Sequence, residues 1–230
     1  NKVVSLDQSI PSGPFAGAFA RRLMPNKAYY RISLSGEDRV AGHQAVKVAV
    51  MAKDANRYSY VLWLEKPSGL LLRSHLINAK GEVLEQFNYT SLELDATISD
   101  AELESKNIGE AYSHESLPSI RGGKDWTAKV DWRIGWLPDG FMSVNKAVQS
   151  GDSLQSSNVQ VFTDGLASFS VFIESPSDNS MPEGATVIGA TVAYAHRLQW
   201  QDQEYRVTVV GEVPIKTAIH VAKQVVPNAH

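Results

Sequence analysis

The chain has 230 residues, 43% of them apolar and 20% charged, with a net charge of -3 and no cysteine. That length allows one large or two modest domains with real cores, and the lack of cysteine excludes disulfides, thiolate catalysis and cysteine-bound zinc. The slight acidity is spread along the chain rather than blocked, which argues against nucleic acid as a partner, and no apolar run reaches the roughly 20 residues that cross a bilayer.

The chain opens at Asn1 rather than at a Met, and reads as a mature or trimmed form or as part of something longer. Residues 1–28 are punctuated by Pro11, Gly13, Pro14, Gly17 and Pro25, leaving room for one short helix around Phe15–Leu23. From Tyr29 the pattern becomes β. "YYRISLSGEDRVAG", "QAVKVAVMA", "RYSYVLWLE", "LLLRSHLI" and "EVLEQFNYTSLELD" are successive strand candidates, joined at "GEDRVAG", "KDAN", "KPSG" and "NAKG". Connections this short permit antiparallel neighbours and forbid parallel crossovers, so Tyr29–Asp95 reads as an antiparallel meander. In "RYSYVLWLE" one face carries Tyr58, Tyr60, Leu62 and Leu64, and the other Arg57, Ser59, Val61, Trp63 and Glu65. The second face is too apolar in its middle for a wetted surface. Two arrangements account for it: a sheet covered on both sides, for instance by helices, or a curved sheet with an apolar concave cleft.

The stretch 96–128 is polar, with Pro118, Gly122 and Gly123 towards its end, and Asp100–Lys106 has the composition of one helical turn. The division follows: residues 1–112 form a first domain, 113–128 a linker, and 129–230 a second domain. The second block starts with "KVDWRIGWLPDGF", whose Pro138-Asp139-Gly140 is a turn, and continues into a strand "MSVNKAV" and a polar loop "QSGDSLQSS". "VQVFTDGLASFSVFIES" is a hairpin with Asp164-Gly165 at its tip, since glycine accepts the positive φ of a tight turn. A two-residue loop there sets Phe162 opposite Ala167 and Gln160 opposite Phe169. It gathers Phe162, Ala167, Phe169, Val171 and Ile173 on a core face. Two long strands, "ATVIGATVAYAHRL" and "EYRVTVVGEV", are joined by "QWQDQ". Pro214 then opens a helix whose Ile215, Ala218, Ile219, Ala222 and Val225 recur at helical spacing, with Lys216, His220 and Lys223 elsewhere on the wheel. The whole is α+β and mostly antiparallel β, with a second domain made of a small antiparallel sheet and one C-terminal helix.

Signs of chemistry are few. His43, His75, His114, His196, His220 and His230 are scattered, with no pair at the spacing that brings imidazoles together on a helix, so no metal site is expected. "SIRGGKDW" lacks the hydroxyl and the strand-to-helix setting of a phosphate loop, and no G-x-S-x-G elbow occurs. Trp126, Trp132 and Trp136 flank the start of the second domain. They either pack its core or the domain junction, or anchor a partner.

Taken together, "RYSYVLWLEKPSGLLLRSHLINAKGEVLEQF", "GWLPDGF", "VFTDGLASFSVFIE" and "YRVTVVGEVPIKTA" resemble the MucB/RseB family from about Tyr29 to Val226, and "FSVFIE" and "VTVVGEVP" are similar to its MucB branch. The resemblance implies a first domain with a LolA/LolB-like antiparallel β half-barrel, here apparently missing its N-terminal part, followed by the small second domain. It implies a non-enzymatic negative regulator of sigma-factor signalling in the periplasm, without cofactor, catalytic residue or metal. Such a protein binds the periplasmic region of a membrane-spanning anti-sigma factor of the MucA/RseA kind, shields it from regulated proteolysis, and is released by lipid or lipopolysaccharide. It also implies a homodimer. A periplasmic lipid or lipoprotein carrier is the alternative, on the fold of the first domain alone. The cleft candidates are Tyr58, Tyr60, Leu62, Trp63 and Leu72, with strand parity deciding which of them line the cleft and which back it.

Overall fold

The computed structural model describes residues 26–94, 97–103, 132–144, 159–175 and 182–227. The helix expected around Phe15–Leu23, most of the 96–128 stretch with Trp126, and the loop 149–157 lie outside the described residues.

The first sheet is the expected meander: β1 (Tyr30–Val40), β2 (His43–Ala52), β3 (Ser59–Glu65), β4 (Leu71–Ile77) and β5 (Val83–Asn88), each antiparallel to the next and in sequence order. The first turn is narrower than the sequence suggested. Segment 36–42 is mostly strand, with a register irregularity between Leu34 and Glu37. The chain reverses only at Ala41-Gly42, whose φ values of +47° and +85° give the twist that a two-residue hairpin needs. A single helical turn, α1 (Asp100–Leu103), follows. Its Glu102 carboxylate reaches back to the Ser99 amide (2.8 Å) and hydroxyl (2.9 Å), the return half of a capping box.

In the second domain β6 (Trp132–Ile134) pairs with a C-terminal strand, described below. The main sheet uses β7 (Met142–Ser143), β8 (Val159–Thr163), β9 (Ser168–Glu174), β10 (Gly184–Ile188), β11 (Thr191–Trp200) and β12 (Gln203–Gly211) in the order β10-β11-β12-β9-β8-β7. The segment 185–198, expected to be one strand, is broken at Gly189, where φ is +59°, so that β10 and β11 make a hairpin. The following reversal occupies only Gln201-Asp202, again with two positive φ values, +48° and +61°.

The opening of the 159–174 hairpin also differs. Thr163 faces Ser168 and Phe162 faces Phe169, so the loop is Asp164–Ala167, four residues rather than two. The Asp164 side chain explains it: Oδ1 accepts from the Leu166 and Ala167 amides at 2.9 and 2.8 Å, holding a wider turn. The slip is even-numbered, so side chains keep their faces. Phe162, Ala167, Phe169, Val171 and Ile173 all enter the second core with Trp132, Val207, Val209 and Val213.

Helix α2 (Ile215–Lys223) starts after Pro214, as expected, but its buried stripe is Thr217, Ala218, Val221 and Ala222. Ile215 is left 38% exposed. The stripe is rotated because Thr217 turns towards the first domain, where its hydroxyl donates to the Asn56 carbonyl at 3.2 Å. Val225, read as the end of the helix, belongs to β13 (Val225–Pro227), which pairs with β6.

Candidate functional site

The registers of the first sheet settle the parity of its strands. Leu34, Val48, Leu62, Ser74 and Phe87 lie opposite one another across all five strands, and so do Ile32, Val50, Tyr60, Leu76 and Glu85. These rows make one largely apolar face. Part of it is covered: Tyr30, Val50, Tyr58, Tyr60, Leu62 and Leu76 pack with Leu166 and Ala190 of the second domain. Part is open, with Ile32, Leu34 and Phe87 at 41%, 78% and 44% exposure. The opposite face carries a smaller buried cluster. There Trp63 is buried with Val40, Ala45 and Leu72, and its ring is flanked by Lys47 and Arg73, each 5.2 Å from the centroid. Its Nε1 donates to Asp38 at 2.9 Å.

The nominated residues therefore separate. Tyr58, Tyr60 and Leu62 lie on the face that meets the second domain, and Trp63 and Leu72 belong to the other side. Both sides of β3 are covered, by the second domain on one and by neighbouring strands and Leu92 on the other.

The junction between the domains is held by a polar centre that the sequence did not reveal. Arg57, in the β2–β3 connection, has a fully buried side chain against the equally buried Asp164 of the β8–β9 loop. The remaining guanidinium donors go to Asp54 (3.2 Å from Nε) and to the Asp139 carbonyl (2.6 Å from Nη2). Tyr30 donates to Asp164 Oδ2 at 2.8 Å, and the rings of Tyr29, Tyr30 and Phe141 surround the cation at 4.9, 5.6 and 5.1 Å. Burial opposes the charge of Arg57, but its hydrogen bond to Asp54 and the carboxylates of Asp164 and Asp54 outweigh it and raise its pKa. Burial first, then the Asp164 charge, pushes the Tyr30 hydroxyl far above the usual phenol range. The arrangement is thus a clamp in which Arg57 keeps its charge and Tyr30 its proton. Asp164 serves two masters, tying its own loop with Oδ1 and Arg57 with Oδ2.

Two further contacts flank the clamp. Gly140 lies against Tyr29 so closely that an added Cβ would sit 2.2 Å from the ring, which is why the Pro138-Asp139-Gly140 turn needs a glycine. On the far side, Glu85 of β5 accepts from the Ala190 amide at 3.1 Å. Trp132 fills the second core and Trp136 stacks on His220 with centroids 3.9 Å apart, so both pack within their own domain. Arg57 and Asp164 are separated by 107 positions, and a lone Arg on a strand-like run carries no spacing signal. The surplus signal at Asp164 was a turn residue that happens to be fully buried.

Comparison with known proteins gives two family matches along the chain: the MucB/RseB N-terminal domain over residues 1–107 and the MucB/RseB C-terminal domain over residues 127–226. The chain is 37% identical over 208 residues to the sigma factor AlgU regulatory protein MucB of Pseudomonas aeruginosa, an alignment covering 88% of this chain and 62% of that protein. The chain thus spans less than two thirds of that relative's length. Among solved structures, the complex of Pseudomonas aeruginosa MucA/MucB matches with a TM-score of 0.69 at 34% identity, over 91% of this chain and 70% of that one. The crystal structure of MucB in complex with MucA(peri) matches with a TM-score of 0.68 at 34% identity, over 93% and 74%.

Proposed function

The chain belongs to the MucB/RseB family, and from that premise we propose that it is a non-enzymatic regulator which binds the periplasmic region of a MucA/RseA-type anti-sigma factor and shields it from proteolysis. The observation that carries this reading is the match of both domains, in order, to MucB as it stands in complexes with MucA. Release by lipid or lipopolysaccharide is the second part of the proposal. It is supported by the apolar rows of the first sheet, which run from the junction out to the exposed Ile32, Leu34 and Phe87. A ligand that prefers a different domain arrangement lowers partner affinity by the same factor as the partner lowers its own, and the Arg57–Asp164 clamp is the contact such a rearrangement has to break. A periplasmic location follows from this role, and a homodimer that changes on release fits the same scheme.

Titration calorimetry of the chain with the anti-sigma factor's periplasmic region tests the reading. Heat at micromolar concentrations, lost on adding an amphipathic lipid, is the expected result; no heat contradicts it. The open apolar face also suits a periplasmic lipid or lipoprotein carrier. That second reading takes over if acyl chains are taken up and the peptide is not bound.

A further inference from the structure

An open sheet has two edges, and native chains guard them with charges, bulges, proline or shortness. At the edges of the two larger sheets, three strands follow this rule. β1 carries Arg31, Glu37, Asp38 and Arg39, with a register irregularity between Leu34 and Glu37. β5 carries Glu85, whose carboxylate already binds the Ala190 amide. β7 is two residues long. β10 is the exception. Its sequence, "GATVI", has neither charge nor proline, and its pairing with β11 runs without a bulge. Ala185, Thr186, Val187 and Ile188 are all exposed, the last two at 55% and 75%. Among the described residues β10 pairs with β11 alone.

We propose that β10 is the interface for a second copy of this chain: two β10 strands pair antiparallel across a two-fold axis and make one sheet continuous through both second domains. The strand is complementary to itself. With the axis at Thr186, that residue faces its own counterpart, Ala185 faces the second copy's Val187, and Gly184 faces its Ile188, so all five residues are paired. Opposed threonines and β-branched side chains are favourable cross-strand neighbours, and no like charges meet, since Glu183 falls opposite Gly189. The neighbouring registers are worse. A slip of two residues one way sets Ile188 opposite Pro182, which has no amide to donate. The other way runs into Gly189, where φ is +59° and the chain turns off into β11. A charged extended segment finds no counter-charge on β10; a second β10 needs none. The strand ends beside Ala190, whose amide meets Glu85 at the domain junction, so the copies join next to the contact between domains. The inference rests on the homodimer in the proposed scheme and gives it a surface. A single short strand pair is a small interface, so the dimer is weak and depends on concentration.

Sedimentation of the full chain over a range of concentrations tests this. A monomer–dimer equilibrium is expected. Thr186→Lys sets two lysines face to face on the axis and should raise the dissociation constant about tenfold or more. Thr186→Glu should do the same, and an equimolar mixture of the two variants should recover the dimer. Thr186 is exposed, so neither change disturbs a core. The chain's lack of cysteine allows a second readout. Directly opposed residues of an antiparallel pair stand within disulfide reach, so Thr186→Cys should cross-link to itself under mild oxidation and Lys80→Cys, exposed on the first domain, should not. A chain that stays monomeric, a dimer indifferent to Thr186→Lys, or a Thr186→Cys that cross-links no faster than Lys80→Cys overturns the proposal. Calorimetry with the anti-sigma factor's periplasmic region separates the two readings. Heat from a chain that stays monomeric removes this interface and leaves the regulator; a β10 dimer that gives no heat does the reverse. Loss of that heat in Thr186→Lys without any change in sedimentation gives the edge to the partner and overturns the proposal.

Discussion

Arg57 is the residue on which the junction turns. Its charge is buried with that of Asp164, and such a pair stabilises little relative to a well-packed apolar pair but costs a great deal when halved. Asp164→Asn keeps the acceptor that ties the 164–167 loop while leaving Arg57 short of a buried counter-charge. It should lower unfolding stability in urea by about 3–5 kcal/mol. The double variant Arg57→Met with Asp164→Asn should recover part of that loss, since no charge is left unpaired. A loss in the double variant as large as the sum of the two singles would show that the pair does not act as a unit. Gly140→Ala is a second test at this scale. The φ of +87° and the Tyr29 ring in the path of a Cβ both oppose it, and a loss of about 1–3 kcal/mol in the same urea titration is expected. An unchanged midpoint would mean that Tyr29 and the 138–141 turn do not touch in solution. None of this could be read from the chain beforehand. Asp164 was accounted for by the turn it occupies, and nothing at Arg57 names a partner in another domain.

At the level of elements, legibility depended on whether the signal was local. The antiparallel meander was visible because its connections are too short for anything else, and the helix start was visible at Pro214. The reversals at Ala41-Gly42 and Gln201-Asp202 fall inside the expected connections "GEDRVAG" and "QWQDQ", but their two-residue extent was not legible because neither pair has the Asn-Gly or Asp-Gly composition that announces such turns. Ala41 and Gln201 carry positive φ although neither residue type favours it. Ala41→Gly should therefore stabilise the chain by about 0.5–1 kcal/mol, as a gain in thermal midpoint, by relieving a left-handed alanine. A fall in the midpoint would place the turn elsewhere. The break at Gly189 and the rotation of α2 have one origin. Both segments answer to the other domain, Gly189 to Glu85 and Thr217 to Asn56. Periodicity within one segment carries no record of that. For the same reason Tyr58, Tyr60 and Leu62 went to the junction while Trp63 and Leu72 did not: parity separates them once the registers are known, and only the three-dimensional arrangement says what lies against each face.

Over the whole molecule, two β-rich domains meet through a buried clamp at Arg57 and Asp164 and through the Ala190 amide bound to Glu85, beside an apolar face that continues into the open. Such a junction holds a definite arrangement, which suits the proposed role of covering a partner. The measurement that meets this account most directly is proteolysis of the anti-sigma factor's periplasmic region, alone and with the chain in excess. The account predicts that the chain slows cleavage of the partner, that amphipathic lipid restores it, and that Asp164→Asn weakens the protection. Cleavage at the same rate with and without the chain would contradict it.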